Sequence, residues 1–225
     1  MSDAFRQSGE EPDVGGKLRT VTFAGPAGRL EGLWKEPSGP RAGSAVFAHP
    51  HSLHGGTMHS KVVHRAVQAF SSAGFATLRF NFRGVGLSEG RYDAGRGETE
   101  DFRAAANETE RLGGLPIVAG GFSFGSAVAL RAIAGDPRVL AFVGIGLPVA
   151  TESGAGLERP RVPALFVVGE RDVFGPPARL RQFVGGSGEI VEISGADHFL
   201  EGNLVELDAV IRRFLATLPV AVGKP

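Results

Sequence analysis

Apolar and polar positions along this chain change period several times, and the changes mark its elements. Near the N-terminus Thr20-Val-Thr-Phe23 and Arg29-Leu-Glu-Gly-Leu-Trp34 flank Gly25-Pro-Ala-Gly28, which predicts an opening antiparallel hairpin. Short apolar runs follow at Ser44–Ala48, Ala76–Phe82, from Ile117, and at Leu140–Ile145, Val162–Val168 and Glu189–Ser194. Helical periodicity lies between them, so the pattern predicts an α/β fold: a mostly parallel central sheet with crossover helices on both faces. One helix should start near Ser60 and bury Val63, Ala66, Val67 and Phe70. A second should open at Glu98-Thr-Glu-Asp101, an acidic turn suited to a helix N-terminus. The last should run from Asn203 to about Leu218, with Asn203 and Glu206 in capping-box spacing. It should bury Leu204, Leu207, Ile211, Phe214, Leu215 and Leu218. One domain at 18–218 results, with a polar, glycine-rich tail at 1–17 and a short tail at 219–225.

The run from Ile117 to Leu130 carries the most specific signal. It passes from an apolar strand through Gly121-Phe-Ser-Phe-Gly125 into a strong helix former, the layout of a nucleophile elbow with Ser123 at its tip. So sharp a turn strains the serine backbone and leaves no room for side chains two residues to either side, hence Gly121 and Gly125. With 34 glycines in the chain, the same pattern recurs at Gly86-Leu-Ser-Glu-Gly90. A polar, glycine-broken stretch follows it instead of a helix, so Ser88 is read as a turn residue or loop hydrogen-bonder.

A serine hydroxyl attacks only when a positioned base takes its proton. Of six histidines only His198 follows Ser123, in the turn Gly195-Ala-Asp-His-Phe199 after a strand. An acid must orient that imidazole. Asp172, in the loop Gly169-Glu-Arg-Asp-Val173, is the candidate, and Glu170 is the runner-up. Asp197 abuts His198, but adjacent side chains diverge, and it reads as a turn or capping residue. The developing oxyanion needs two backbone donors. One is expected from Phe124, the other from the loop after Ala48: His51, or failing that Ser52 or Leu53, since Pro50 has no N–H. These loops all follow strands, and so converge at the carboxyl end of one sheet.

These segments, with Ala48-His-Pro-His51, Gly55-Gly-Thr-Met58 and Leu78-Arg-Phe-Asn-Phe-Arg-Gly-Val-Gly-Leu-Ser-Glu-Gly90, resemble the α/β-hydrolase superfamily. The resemblance is to its small, lidless serine-esterase branch related to dienelactone hydrolases, and it runs from about residue 20 to 218. The order Ser123, Asp172, His198 agrees. It implies a serine hydrolase for carboxylic esters or thioesters, working through an acyl-enzyme without a cofactor. Ser123 would attack, His198 shuttle the proton and Asp172 orient it, with two N–H groups holding the oxyanion. The Arg-Gly-x-Gly-x-Ser stretch would be a structural loop beside the site. Dienelactone hydrolases proper use a cysteine nucleophile and this chain has none, so their substrate is not carried over.

Composition narrows the field further. At 225 residues and 42% apolar content the chain suits one α/β domain. Its 24 basic and 24 acidic residues are dispersed, with no basic stripe for nucleic acid or anionic membrane. The first residues lack an apolar signal core, which makes the cytoplasm the expected location. The uncharged stretch from Leu112 to Leu130 is broken by Pro116 and five glycines, and reads as the elbow rather than a membrane span. His49, His51, His54, His59 and His64 lie two to five residues apart, but without cysteine or a metal-protease helix motif no metal is expected. Only Gly146 to Arg161 separates two strands where a cap would enter, too short for a helical lid. An open cleft walled by Leu53, Phe124, Phe174 and Phe199 is expected, favouring small or protruding acyl groups. Serine at the elbow argues against haloalkane and epoxide chemistry, where aspartate is the rule. A peptidase and a non-catalytic binding protein on the same fold remain as alternatives, in a monomer or homodimer.

Overall fold

The computed structural model describes residues 16–37 and 39–220. Most of the two tails expected at 1–17 and 219–225 lies outside the described residues. Lys17 is already tied in, its carbonyl accepting from the Glu36 N–H at 3.1 Å.

The opening hairpin consists of β1 (Leu18–Gly25) and β2 (Gly28–Lys35), in register Phe23↔Leu30 and Gly25↔Gly28. Pro26 and Ala27 make its two-residue turn. Six further strands, β3 (Gly43–Ala48), β4 (Phe75–Phe80), β5 (Ile117–Phe122), β6 (Val139–Ile145), β7 (Ala164–Gly169) and β8 (Glu189–Ile193), run parallel to one another. Sheet order is β1-β2-β4-β3-β5-β6-β7-β8, with β2 joining β4 antiparallel. Five helices cover the sheet: α1 (Lys61–Ser72), α2 (Arg96–Gly113), α3 (Phe124–Ala132), α4 (Pro177–Val184) and α5 (Leu204–Leu215).

Alternation along the strands sorts the core into two layers. On β3, Ala45 and Phe47 pack with α1 and α5, while Val46 and Ala48 pack with α2, α3 and α4. The apolar face expected on α1, Val63, Ala66, Val67 and Phe70, is wholly buried, and Ser60 is its N-cap.

Five local expectations are corrected. Asn81 and Phe82 lie beyond β4, because their N–H groups turn to the Glu31 carbonyl and the His49 ring. Helix α2 begins at Arg96 rather than Glu98. The Glu98 side chain is buried and accepts from the N–H groups of Asp93 and Gly95, both at 2.8 Å. With that start Asp101 falls in the second turn rather than the first, and it holds Arg83 through Nε at 2.9 Å and Nη2 at 2.7 Å. Asn203 is the N-cap of α5 but its side chain makes no capping bond, and Leu204 is only half-buried. Helix α4 has no counterpart in the sequence reading; its short apolar stripe is Leu180, Phe183 and Val184.

Candidate active site

The tip of the elbow joins β5 to α3. Ser123 has φ 54° and ψ −123°, left-handed backbone that costs a non-glycine residue roughly 1–3 kcal/mol. The turn is held by the Ser123 N–H on the Ile145 carbonyl at 2.8 Å and by Ser126 Oγ on the Ser123 carbonyl at 2.6 Å. A Cβ at Gly121 would sit 2.4 Å from the carbonyl carbon of Gly125, and one at Gly125 would sit 2.3 Å from the His49 oxygen. Only glycine fits at either place.

Ser123 Oγ lies 2.8 Å from His198 Nε2, and His198 Nδ1 lies 2.7 Å from Asp172 Oδ2. The carboxylate can only accept, so Nδ1 carries hydrogen and Nε2 presents its lone pair to the serine O–H. Asp172 is held by N–H groups of Phe174 and Gly175 on Oδ1, at 2.9 and 3.0 Å, and its side chain is fully buried. The rival acids are occupied elsewhere. Glu170 accepts from Gly195 N–H and Ser194 Oγ, which lower its pKa in that order, and Asp197 accepts from the Phe199 N–H at 2.9 Å. Ser88 is buried, donating to the Asn81 carbonyl at 2.7 Å and accepting from the Glu31 N–H at 3.1 Å. It is a tie between β2 and the loop after β4.

Phe124 is the first residue of α3, so its N–H has no partner within the helix. In the loop after β3, the N–H of Leu53 is spent on His51 Nδ1 at 3.3 Å. The bonds that close this turn run from His54 and Gly56 to the His51 carbonyl and from Gly55 to that of Ser52. Of the three donors considered there, Leu53 is therefore engaged within the loop. His49 is structural: Nδ1 donates to the Pro50 carbonyl at 2.6 Å and Nε2 accepts from the Phe82 N–H at 3.1 Å. Burial lowers its pKa to about 4, so the ring is neutral. Burial, and then the neighbouring His54, lower that of His51. His64 lies on α1, and no cluster of three metal-ligating side chains occurs among the described residues.

Residues 49–151 match a family described as serine aminopeptidase, S33. An uncharacterised protein of Rickettsia prowazekii (strain Madrid E) is 31% identical over 214 residues, 88% of this chain and 89% of that protein. The solved structure of an α/β serine hydrolase homologue from Coxiella burnetii is 37% identical, covering 87% of this chain and 96% of that one, with a TM-score of 0.81. The chain belongs to the α/β serine hydrolases. A second solved structure, described as an α/β serine hydrolase without lid from Xanthomonas campestris, is 28% identical. It covers 93% of this chain and 97% of its own, with a TM-score of 0.84.

Among the described residues the hydrolase likewise has no cap domain. Between β6 and β7 stands only a short 3₁₀ turn, Glu152–Gly154, held down by Arg131 Nη2 on the carbonyls of Ser153 and Ala155 at 2.7 and 3.0 Å. Ser123 and His198 open onto a cleft of about 860 Å³, within the range that holds a small organic ligand. Phe174 and Phe199 stand beside the His198 ring, with centroids at 4.6 and 5.4 Å, and Phe124 and His51 line the same cleft. Leu53 is corrected: the residue is 67% exposed and does not line the cleft, because it stands in the 3₁₀ turn Ser52–His54, which buries no residue. Leu204, expected in the core, lines the cleft. Tyr92 and Asn81 escaped the sequence reading. Asn81 receives the Met58 N–H at 2.8 Å and donates to Glu31 at 2.7 Å, fastening the far end of the His51 loop to β2. Asn81 sits inside the Leu78–Gly90 stretch but reads there only as part of a strand, and the signal at Tyr92 is that it is the single tyrosine of the chain.

Proposed function

We propose that this hydrolase cleaves carboxylic esters or thioesters of small or protruding acyl groups through an acyl-enzyme on Ser123. The observation that carries the reading is the unbroken hydrogen-bond chain from Ser123 Oγ through His198 to Asp172. His198 Nε2 takes the serine proton as Oγ attacks the carbonyl carbon. The imidazolium so formed is stabilised by Asp172, and its proton passes to the departing alcohol or thiol. The N–H groups of Phe124 and His51 receive the oxyanion, and losing one such donor typically costs about 3 kcal/mol of transition-state stabilisation. Water then repeats the cycle on the acyl-serine. No step requires a cofactor.

A second reading, a peptidase, draws support from the description of the family matching residues 49–151. The same residues would serve it; an amide leaving group depends more heavily on proton donation by His198.

Intact mass after exposure to a fluorophosphonate tests the core of the reading. One adduct is expected on the native chain and none on Ser123→Ala. An adduct that persists on the variant would move the nucleophile elsewhere, and an unlabelled native chain would refute an activated serine. Parallel turnover of an ester and an anilide of the same small acyl group separates esterase from peptidase.

A further inference from the structure

The loop that carries His51 has no regular secondary structure beyond the three-residue 3₁₀ turn Ser52–His54; Asn81 fastens its far end, and the His51 side chain holds the near one. The His51 side chain is gripped on both ring nitrogens. Nδ1 accepts the Leu53 N–H at 3.3 Å, and since that group can only donate, the ring hydrogen sits on Nε2. Nε2 is 3.1 Å from the Tyr92 hydroxyl and donates to it. The imidazole also packs on Phe124, with centroids 4.8 Å apart, and Tyr92 packs on the same ring at 5.9 Å. Tyr92 is anchored in turn, because buried Glu98 of α2 fixes the N–H groups of Asp93 and Gly95 just beyond it.

We propose that Tyr92 is a positioning residue for the oxyanion hole, its hydroxyl holding the His51 loop at the distance from Phe124 that lets both N–H groups meet one oxygen. The proposal rests on the hydrolase reading above. Its chain of contacts runs from the N-terminus of α2 through Glu98, the 92–95 loop and Tyr92 to His51. The two donors lie three residues beyond Ala48 and Gly121, which pair on the neighbouring strands β3 and β5, so the sheet sets their approach and the Tyr92 contact fixes the His51 end of it. Burial, and then the neighbouring His54, lower the His51 pKa, which favours the neutral ring whose Nδ1 accepts the Leu53 N–H.

Tyr92→Phe removes one hydroxyl and keeps the ring on Phe124. We expect kcat on a small ester to fall about tenfold with KM within twofold, since an oxyanion donor acts mainly in the transition state. Affinity for a boronic acid that mimics the tetrahedral state should fall by the same factor. In a His51→Phe background, Tyr92→Phe should bring no further loss, because its contact is already gone. Unchanged kcat in Tyr92→Phe, or an equal loss in both backgrounds, overturns the proposal. A loss of thermal stability with kcat intact would reduce Tyr92 to packing and overturn it likewise. An inactive native chain would instead defeat the hydrolase reading beneath it.

Discussion

His49 shows how one side chain near the site is committed to the fold. Its ring is fully buried and its two nitrogens are both used, by the Pro50 carbonyl and the Phe82 N–H. Protonation would put a second hydrogen on Nε2, facing the Phe82 N–H, in a place closed to bulk solvent. The folded pKa of about 4 lies below the ordinary 6.5, so the unfolded chain binds the proton first as pH falls. This destabilisation is absent above pH 6.5, reaches about 2 kcal/mol by pH 5 and levels off near 3 below pH 4. Urea unfolding at pH 7.5 and 5 should show it, and His49→Gln should remove about 2 kcal/mol of the difference. An unaltered difference would place the titration elsewhere. The same residues show what a sequence reveals. Ser123, Asp172 and His198 each follow a strand and sit in short segments of recognisable composition, and the structure brings the three together. Tyr92, Glu98 and His49 act through partners 41, 3 to 5 and 33 positions away, or on the backbone, and only folding discloses those pairings.

Among the elements, the junction of β3, β5 and α3 is the least forgiving. Neighbouring parallel strands bring the carbonyls of Ala48 and His49 under the first turn of α3, where Gly125 passes. A methyl at Gly125 would meet those oxygens at 2.7 and 2.3 Å, and strands at the centre of an eight-stranded sheet cannot draw back. Gly125→Ala should lose about 3 kcal/mol or more, measured as a urea midpoint, with activity falling in step as the elbow is pushed off its position. Little loss would mean that the turn can open. The central strands were the most legible elements, because burial on both faces makes β3, β4, β5 and β7 nearly continuous apolar runs. Helix α4 escaped notice because it has eight residues, opens on Pro176-Pro177 and turns only Leu180, Phe183 and Val184 inward. Helix α2 begins two residues earlier than its acidic turn suggested, since Glu98 serves the preceding loop rather than the helix dipole alone.

For the whole molecule, the site is assembled at one end of the sheet from loops after β3, β5, β7 and β8, and no helix among the described residues is long and apolar enough to cross a membrane. The absence of a cap follows from the sixteen residues between Gly146 and Arg161, a length readable from the sequence. Under the proposed activity, turnover of p-nitrophenyl esters should be fastest at acetyl to butyryl and fall by roughly tenfold or more at long chains, which gain no buried tunnel. A maximum at long-chain esters would refute this cleft as the acyl site.

The uncovered cleft also limits what the hydrolase can discriminate. Under the proposed activity, such walls would inspect only the part of the substrate near its carbonyl, and whatever trails beyond the cleft would stay in bulk water and contribute little to recognition. Selectivity is then local. Two compounds alike around the scissile bond would be treated as one substrate, however different their remaining parts, so the range of compounds consumed in a cell would be set by which of them are present.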